Sequence, residues 1–324
     1  MDKNNFKIVF FGTPDFAVES LRAILDAGFN VAAVVTATDK PAGRGHKMQA
    51  SAVKNFALER NLPVLQPEKL KDEQFISTLR DINADLFVVI AFRMLPEVVW
   101  NMPPRGTFNL HASLLPKYRG AAPINHAVIN GETKTGVTTF FLQHEIDTGD
   151  VIDRVAVDIE PDDDAGSVHD KLMKLGAELT VKTINKIIEG KLTATPQAEL
   201  AAESGPLCGA PKIFKETGNI DWTQPSDKIH NLVRGLSPYP GAWTTLKSPG
   251  NANTEIKIFK TRLTDRNTNL PGGSIVIEGK NMFVACGDSR MLQILTIQPS
   301  GKRWMDVDDY LRGARIDDAC FYKI

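Results

Sequence analysis

The first half of the chain alternates short apolar runs with amphipathic stretches. Residues 7–11 read as a buried parallel strand that ends in Gly12-Thr13-Pro14. Residues 15–27 follow as a helix, with Phe16, Val18, Leu21 and Leu25 near helical spacing and Gly28 just past its end. Residues 31–35 form a second strand, 49–60 a helix, Val64 a short strand and 73–81 a further helix. Leu86–Ile90 is a strongly apolar strand closed by residues 91–96, and Thr107–His111 alternates apolar with polar positions. Pro123 suits the first turn of a helix running to about Asn130. Strands and helices that alternate in this way predict a mostly parallel, doubly wound α/β sheet.

Beyond residue 130 the rhythm changes. Residues 136–142 and 151–157 look like strands joined by a polar connection, 143–150, which contains Asp147-Thr148-Gly149-Asp150. A long helix over 164–189 has acids at its start and Gly190 at its end. Residues 191–208 carry little periodicity and read as a linker. After a helix near 226–236, apolar runs at 255–259, 273–277, 282–285 and 292–297 are separated by Gly, Asn, Asp and Pro. Several short strands at close intervals predict a small all-β barrel. The expected organisation is therefore an α/β domain over 1–190, a linker over 191–208 and an OB-like barrel domain over 209–324.

Composition adds little to this except in its exclusions. The 324 residues are 42% hydrophobic and 24% charged, as in an ordinary soluble chain. The formal net charge of −1 announces no global basic field, although residues 210–324 carry net +4 and the rest net −5. Cys208, Cys286 and Cys320 are far apart and have no His or Cys at ligand spacing, which argues against a disulfide framework and a zinc site. No apolar run approaches the length of a membrane span. A cytoplasmic monomer without a metal is expected.

Candidate chemistry concentrates where the Thr107–His111 strand meets a loop. As a strand, this stretch sends Phe108 and Leu110 to one face and Asn109 and His111 to the other, roughly 7 Å apart. Open α/β sheets bind ligands at such strand ends. Taken alone, the pair could equally be a buried His and Asn satisfied at a strand end. With Asp147 added, the set suits attack of an amine on a carbonyl carbon. Asn109 and a protonated His111 would hold the oxyanion, while the carboxylate favours the imidazolium and relays protons. Residues 36–54 form a Gly-containing basic loop with Lys40, Arg44, Lys47 and Lys54 against the single acid Asp39. Such a loop can hold phosphate, or be no more than a mobile surface loop.

Several motifs together resemble the methionyl-tRNA formyltransferase family over essentially the whole chain. They are the opening Ile8-Val9-Phe10-Phe11-Gly12-Thr13-Pro14-Asp15-Phe16-Ala17, the run from Asn109 through Pro116, Tyr118-Arg119-Gly120-Ala121-Ala122-Pro123-Ile124, Asp147-Thr148-Gly149-Asp150 and, later, the run Arg234 through Trp243. The Asn, His, Ser-Leu-Leu-Pro and Asp-Thr-Gly motifs are shared by formyltransferases with other acceptors. The acceptor is pointed to by Pro41-Ala42-Gly43-Arg44-Gly45 and by the C-terminal domain. The chain departs from the family at Ala91-Phe92-Arg93, usually Ala-Tyr-Gly, at Glu145-Ile146, often Gly-Leu, and at Tyr118, often Trp.

The resemblance implies a formyltransferase fold followed by the OB-like barrel. It implies transfer of the formyl group of 10-formyltetrahydrofolate, a co-substrate and not a tightly bound cofactor, to the α-amine of methionyl-initiator tRNA. Asn109, His111 and Asp147 would be catalytic. Phe92, Met94, Leu95, Ser113, Leu114, Leu115, Pro116, His144 and Ile146 would bind the folate, and Lys40, Arg44, Lys47 and Lys54 the tRNA. The alternatives are a formyltransferase acting on a small amine, such as an amino sugar nucleotide, and a catalytically silent RNA-binding protein.

Overall fold

Leu86–Ile90 is buried at every position, and a strand with no polar face must be covered on both sides. In the computed structural model, which describes residues 3, 5–42, 47–202, 205–247, 252–314 and 319–322, it lies inside a seven-stranded sheet. The elements up to residue 130 are β1 (Lys7–Gly12), α1 (Asp15–Asp26), β2 (Asn30–Val35), β3 (Lys40–Ala42), β4 (Lys47–Gln49), α2 (Ala52–Glu59), β5 (Val64–Leu65), α3 (Glu73–Ile82), β6 (Leu86–Ile90), α4 (Glu97–Trp100), β7 (Thr107–His111), β8 (Arg119–Gly120) and α5 (Pro123–Ile129). There follow β9 (Lys134–Phe141), β10 (Val151–Asp158), α6 (Ala165–Glu189), α7 (Gln197–Ala201), β11 (Gly209–Ala210), α8 (Ser226–Leu236), β12 (Ala242–Lys247), β13 (Thr254–Asn267), β14 (Ile275–Glu278), β15 (Asn281–Ala285), β16 (Arg290–Pro299), β17 (Met305–Asp306), α9 (Val307–Gly313) and β18 (Cys320–Tyr322).

The chain divides into two compact units. The first comprises Met1–Gly120, Thr135–Val157 and His169–Gly209, and its sheet runs β10-β9-β7-β6-β1-β2-β5. Strands β7, β6, β1, β2 and β5 are parallel, and β9 returns antiparallel to β7. Strand order reverses at β1, which pairs β2 on one side and β6 on the other. In sheets of this kind ligands usually bind beyond the carboxyl ends of the strands next to such a reversal, here β1, β6 and β7. One sheet face is sealed by Val9, Phe11, Val35, Phe87 and Val89 against Phe75, Ile76 and Leu79 of α3. Leu110 of β7 packs on α6, where a Cβ added to Gly176 would come within 2.7 Å of it.

The second unit comprises Ala121–Lys134, Asp158–Val168 and Ala210–Ile324. Two stretches expected within the first domain therefore group with the barrel. The reason is visible in α5, which lies against α8 so closely that an added Cβ at Gly235 would meet Ile129 at 2.4 Å. The barrel runs β14-β15-β16-β13-β12-β18, with β17 alongside β16. Its two edges meet, because Ser274 bridges Cys320 and the Phe321 N–H donates to the Gly273 carbonyl at 2.8 Å. Closure of this kind removes the exposed edges an open sheet would present. Inside lie Ile256, Ile258, Met282, Val284, Leu292, Ile294 and Ile297, plugged by Ile229, Val233 and Leu236 of α8. Both the doubly wound sheet and the small barrel are thus as expected from the hydrophobic pattern.

Candidate active site

Strand β7 carries Asn109 and His111 opposite Phe140 and Thr138 of β9. His111 is 7% exposed. Its Nε2 lies 2.8 Å from the Tyr118 carbonyl, which can only accept, so this nitrogen carries a proton. Nδ1 faces Asp147 Oδ2 at 3.9 Å, within ion-pair range and too long for a hydrogen bond. Both side chains are nearly buried, so little water screens the carboxylate from the ring. Asp147 Oδ2 also accepts the Gly120 N–H at 2.9 Å. Asp147 adopts φ 55°, a left-handed conformation rare for a side-chain-bearing residue and often found at functional sites.

Asn109 Oδ1 is buried and has no hydrogen-bond partner. Buried polar atoms are nearly always paired, so an unpaired one beside a His–Asp pair points to a ligand. The three residues singled out from the sequence are thus drawn from the end of β7 and the β9–β10 connection. The two that meet directly are His111 and Asp147.

The expected folate residues fall into two groups. Met94 and Ile146 are exposed at 66% and 62%. His144 is exposed too, with Nε2 3.5 Å from Glu97 Oε1 and its ring edge-on to Trp100. Phe92 is half-buried edge-on against Phe11, and Leu114 is half-buried. Leu95, Ser113, Leu115 and Pro116 are buried in the protein itself. Ser113 Oγ donates to the Lys117 carbonyl at 2.7 Å, and Thr138 Oγ1 donates to the Ser113 carbonyl while accepting from Leu115 N–H. Arg154 donates to the Leu115 carbonyl at 3.0 Å. Ser113 and Leu115 therefore fix the course of this loop. In the 91–96 segment Arg93 donates to the carbonyls of Pro67 and Glu68, and Ala91 takes φ 47°.

The basic stretch is an antiparallel hairpin, β3 against β4. Lys40 is exposed, Lys47 forms part of β4, and Arg44 lies outside the described residues. Lys54 already has a partner. Its ammonium is held by Asp39 at 2.6 Å, and Gln66 donates to the same carboxylate at 2.8 Å. Lys54 and Gln66 together hold the Asp39 carboxyl below its ordinary range. No spacing in the sequence foretells this ion pair.

Gln197 lies inside the expected linker, where no periodicity or motif marks it. It is 3% exposed, and its Nε2 donates to the Asp147 carbonyl at 2.9 Å and the Gly149 carbonyl at 2.8 Å. Its Oε1 accepts from Arg119 Nε and Nη2 at 3.0 and 2.7 Å. Gly149 is equally constrained, since an added Cβ would lie 1.6 Å from the Phe141 carbonyl oxygen.

Among the described residues, no group of three or more His, Cys, Asp and Glu could hold a metal ion, and no helix is long and apolar enough to cross a membrane. Burial pushes the Cys286 thiol up to about 12, so it is unsuited to act as a thiolate.

Comparison with known proteins identifies the family. A family model of formyl transferases matches residues 6–184, and one of the formyl transferase C-terminal domain matches residues 212–315. A methionyl-tRNA formyltransferase of Bacteroides fragilis is 54% identical over 319 residues, covering 98% of each chain. That of Flavobacterium johnsoniae is 48% identical over 312 residues, 96% of this chain and 97% of its own. Among solved structures, a sugar 3N-formyl transferase crystallised with dTDP and 5-N-formyl-THF matches with a TM-score of 0.65 at 21% identity, covering 92% of this chain and 99% of its own. HypX from Aquifex aeolicus, in complex with tetrahydrofolic acid, matches with a TM-score of 0.60 at 18% identity, over 95% of this chain and 47% of its own. At these identities the two structures speak to the fold alone.

Proposed function

The chain belongs to the methionyl-tRNA formyltransferase family, and on that premise we propose that it moves a formyl group from 10-formyltetrahydrofolate to the α-amine of methionyl-initiator tRNA through Asn109, His111 and Asp147. The observation that carries the acceptor is identity of about one residue in two along nearly the full chain, barrel included. The chemistry rests on the unpaired Asn109 carboxamide beside the His111–Asp147 pair.

The amine nitrogen attacks the formyl carbon, a C–N bond forms, and the carbonyl electron pair moves onto oxygen. The oxyanion is met by Asn109 and by imidazolium His111. A half-turn of the Asn109 side chain exchanges its oxygen for NH2, so the position can offer a donor. Asp147 sets its carboxylate on the Nδ1 side of the ring, and Tyr118 fixes the ring through its carbonyl. The attacking nitrogen gives up a proton, directly or through water, to the carboxylate. As the carbonyl re-forms, the bond to the folate N10 breaks and that nitrogen takes a proton from the same relay. No covalent enzyme intermediate is required.

The Leu86–Ile90 strand end and the 113–116 wall lie on the donor side of this reading, with Phe92, Met94, Leu114 and Ile146 as the side chains still open to a pteridine. For the acceptor, the basic stretch around the β3–β4 hairpin carries Lys40, Arg44 and Lys47 as contacts for phosphate or an unpaired base, while Lys54 acts through Asp39. The test is formyl transfer to charged initiator tRNA, with free methionine and amino sugar nucleotides as competitors. Faster transfer to an amino sugar nucleotide than to the charged tRNA overturns the acceptor assignment.

A further inference from the structure

The stretch entering α7 reads as a linker in sequence but behaves as part of the site's frame. Thr195 exchanges both backbone hydrogen bonds with Val151, each at 2.8 Å. Leu200 packs against the cluster of Leu115, Phe140 and Val151. Farther along, the Cys208 carbonyl accepts the Tyr118 N–H at 2.6 Å, and Tyr118 is the residue whose own carbonyl holds His111. Between these anchors Gln197 uses both ends of its carboxamide. Its orientation is unambiguous, because a flipped amide would set NH2 against the Arg119 guanidinium and oxygen against two carbonyls.

We infer that Gln197 is a positioning residue for the catalytic pair, holding Asp147 in its left-handed backbone conformation so that the carboxylate faces His111. A residue at φ 55° persists only where its surroundings over-determine it. Here the Asp147 carboxylate is fixed by Gly120 N–H, its carbonyl by Gln197, and the carbonyl two residues on by the same Gln197 amide. Arg119 locks the far end of that amide, and Arg119 adjoins both Tyr118 and Gly120 in the chain. The side chain therefore couples the segment that holds His111 to the segment that holds Asp147. Loss of this coupling leaves every reacting group present but misplaced, which is enough to slow a transfer severely.

This rests on the catalytic reading of Asp147 given above, and the test separates the two. In the full chain, with 10-formyltetrahydrofolate and methionyl-initiator tRNA, Gln197→Ala should lower kcat by about 10²-fold. The KM for the donor should move less than about threefold, as expected for a loss confined to the transition state. Gln197→Glu preserves volume and still accepts from Arg119, yet offers no donor to the two carbonyls. It should fall at least as far, and it carries the test alone if the Ala variant does not fold. The split between a large fall in kcat and a small change in KM should appear in both variants, which a general loss of folding would not give. In an Asp147→Asn background, either substitution should add less than about threefold, since the group it positions is already disabled. Normal turnover in Gln197→Glu, a donor KM raised as far as kcat falls, or a full second loss on top of Asp147→Asn would overturn the positioning role. Near-normal turnover of Asp147→Asn by itself would instead overturn the catalytic reading of Asp147.

Discussion

Replacing Asn109 by Leu should leave stability nearly unchanged and make the protein far less active. The structure leaves Asn109 Oδ1 buried without a partner, and a buried unpaired acceptor costs about 1–3 kcal/mol. Leucine has the same branched shape and no polar atom, so that penalty disappears. Its methyl groups are bulkier than the carboxamide, and overpacking a filled site costs about 1–3 kcal/mol, which leaves a net effect near zero. For a unit of this size about 1 kcal/mol moves the unfolding midpoint by roughly 2–4 °C. Catalysis has no such offset, because loss of one oxyanion donor lowers kcat by about 10²–10³, or roughly 2.7–4 kcal/mol. The measurements are thermal unfolding by circular dichroism and steady-state transfer to charged tRNA on the same preparations. A midpoint lower by more than about 5 °C would mean that Asn109 is satisfied in the free protein. Retained kcat would mean that it does not touch the oxyanion.

Three further outcomes follow from other parts of the molecule. Gly149→Ala puts a Cβ 1.6 Å from the Phe141 carbonyl oxygen, so the 143–150 connection must shift and turnover should drop about 10²-fold; full activity in the Gly149→Ala protein would mean that Asp147 tolerates displacement. Arg44→Ala should weaken use of charged initiator tRNA by about 1–3 kcal/mol, the range for a good polar or stacking contact, and should leave tetrahydrofolate binding unchanged; equal rates on tRNAs with paired and mispaired acceptor ends for both proteins would remove the hairpin's role. Burial, and then Arg234, hold the His230 imidazole below its ordinary value, with Asp162 opposing. The stability this gives is intact above about pH 6.5 and is lost as pH falls from there towards the depressed folded value. Unfolding midpoints should therefore drop on acidification less steeply in His230→Gln than in the parent, and parallel curves would exclude His230 as the source.

The regular elements are legible wherever burial and periodicity coincide. The helix expected near 226–236 is α8, Ser226–Leu236, and Leu86–Ile90 and Thr107–His111 are the strands β6 and β7, because each carries a complete apolar face. Strands with mixed faces escape such a reading. Ala242–Lys247 has Thr244 between the buried Ala242 and Leu246, and Thr245 buried on its other face, so hydroxyls interrupt its apolar pattern. Strand β13 extends to Asn267, past the apolar run at 255–259, as a largely exposed ribbon paired with β16. The short hairpin β3–β4 is hidden for a similar reason, since three-residue strands have no measurable period.

The site divides along the same line, between chemistry written in side-chain types and geometry written in the backbone. Asn109, His111 and Asp147 could be named because few residue types polarise a carbonyl and move protons. What brings His111 to Asp147 is carried by groups with no type at all. These are the Tyr118 and Cys208 carbonyls, the Gly120 amide, and a left-handed turn at Asp147. Gln197 satisfies two of the resulting carbonyls, and a glutamine does so only when tertiary structure delivers it, 50 residues from Asp147 in sequence. The same logic explains Lys54, which counts in the sequence as one of several cations in a basic loop and in the fold is held by Asp39. A charge can be counted in a sequence, but whether it is available to a ligand depends on partners that only the fold brings within reach. The catalytic set is therefore readable one residue at a time, whereas its frame has to be read from hydrogen bonds between segments that the sequence keeps apart.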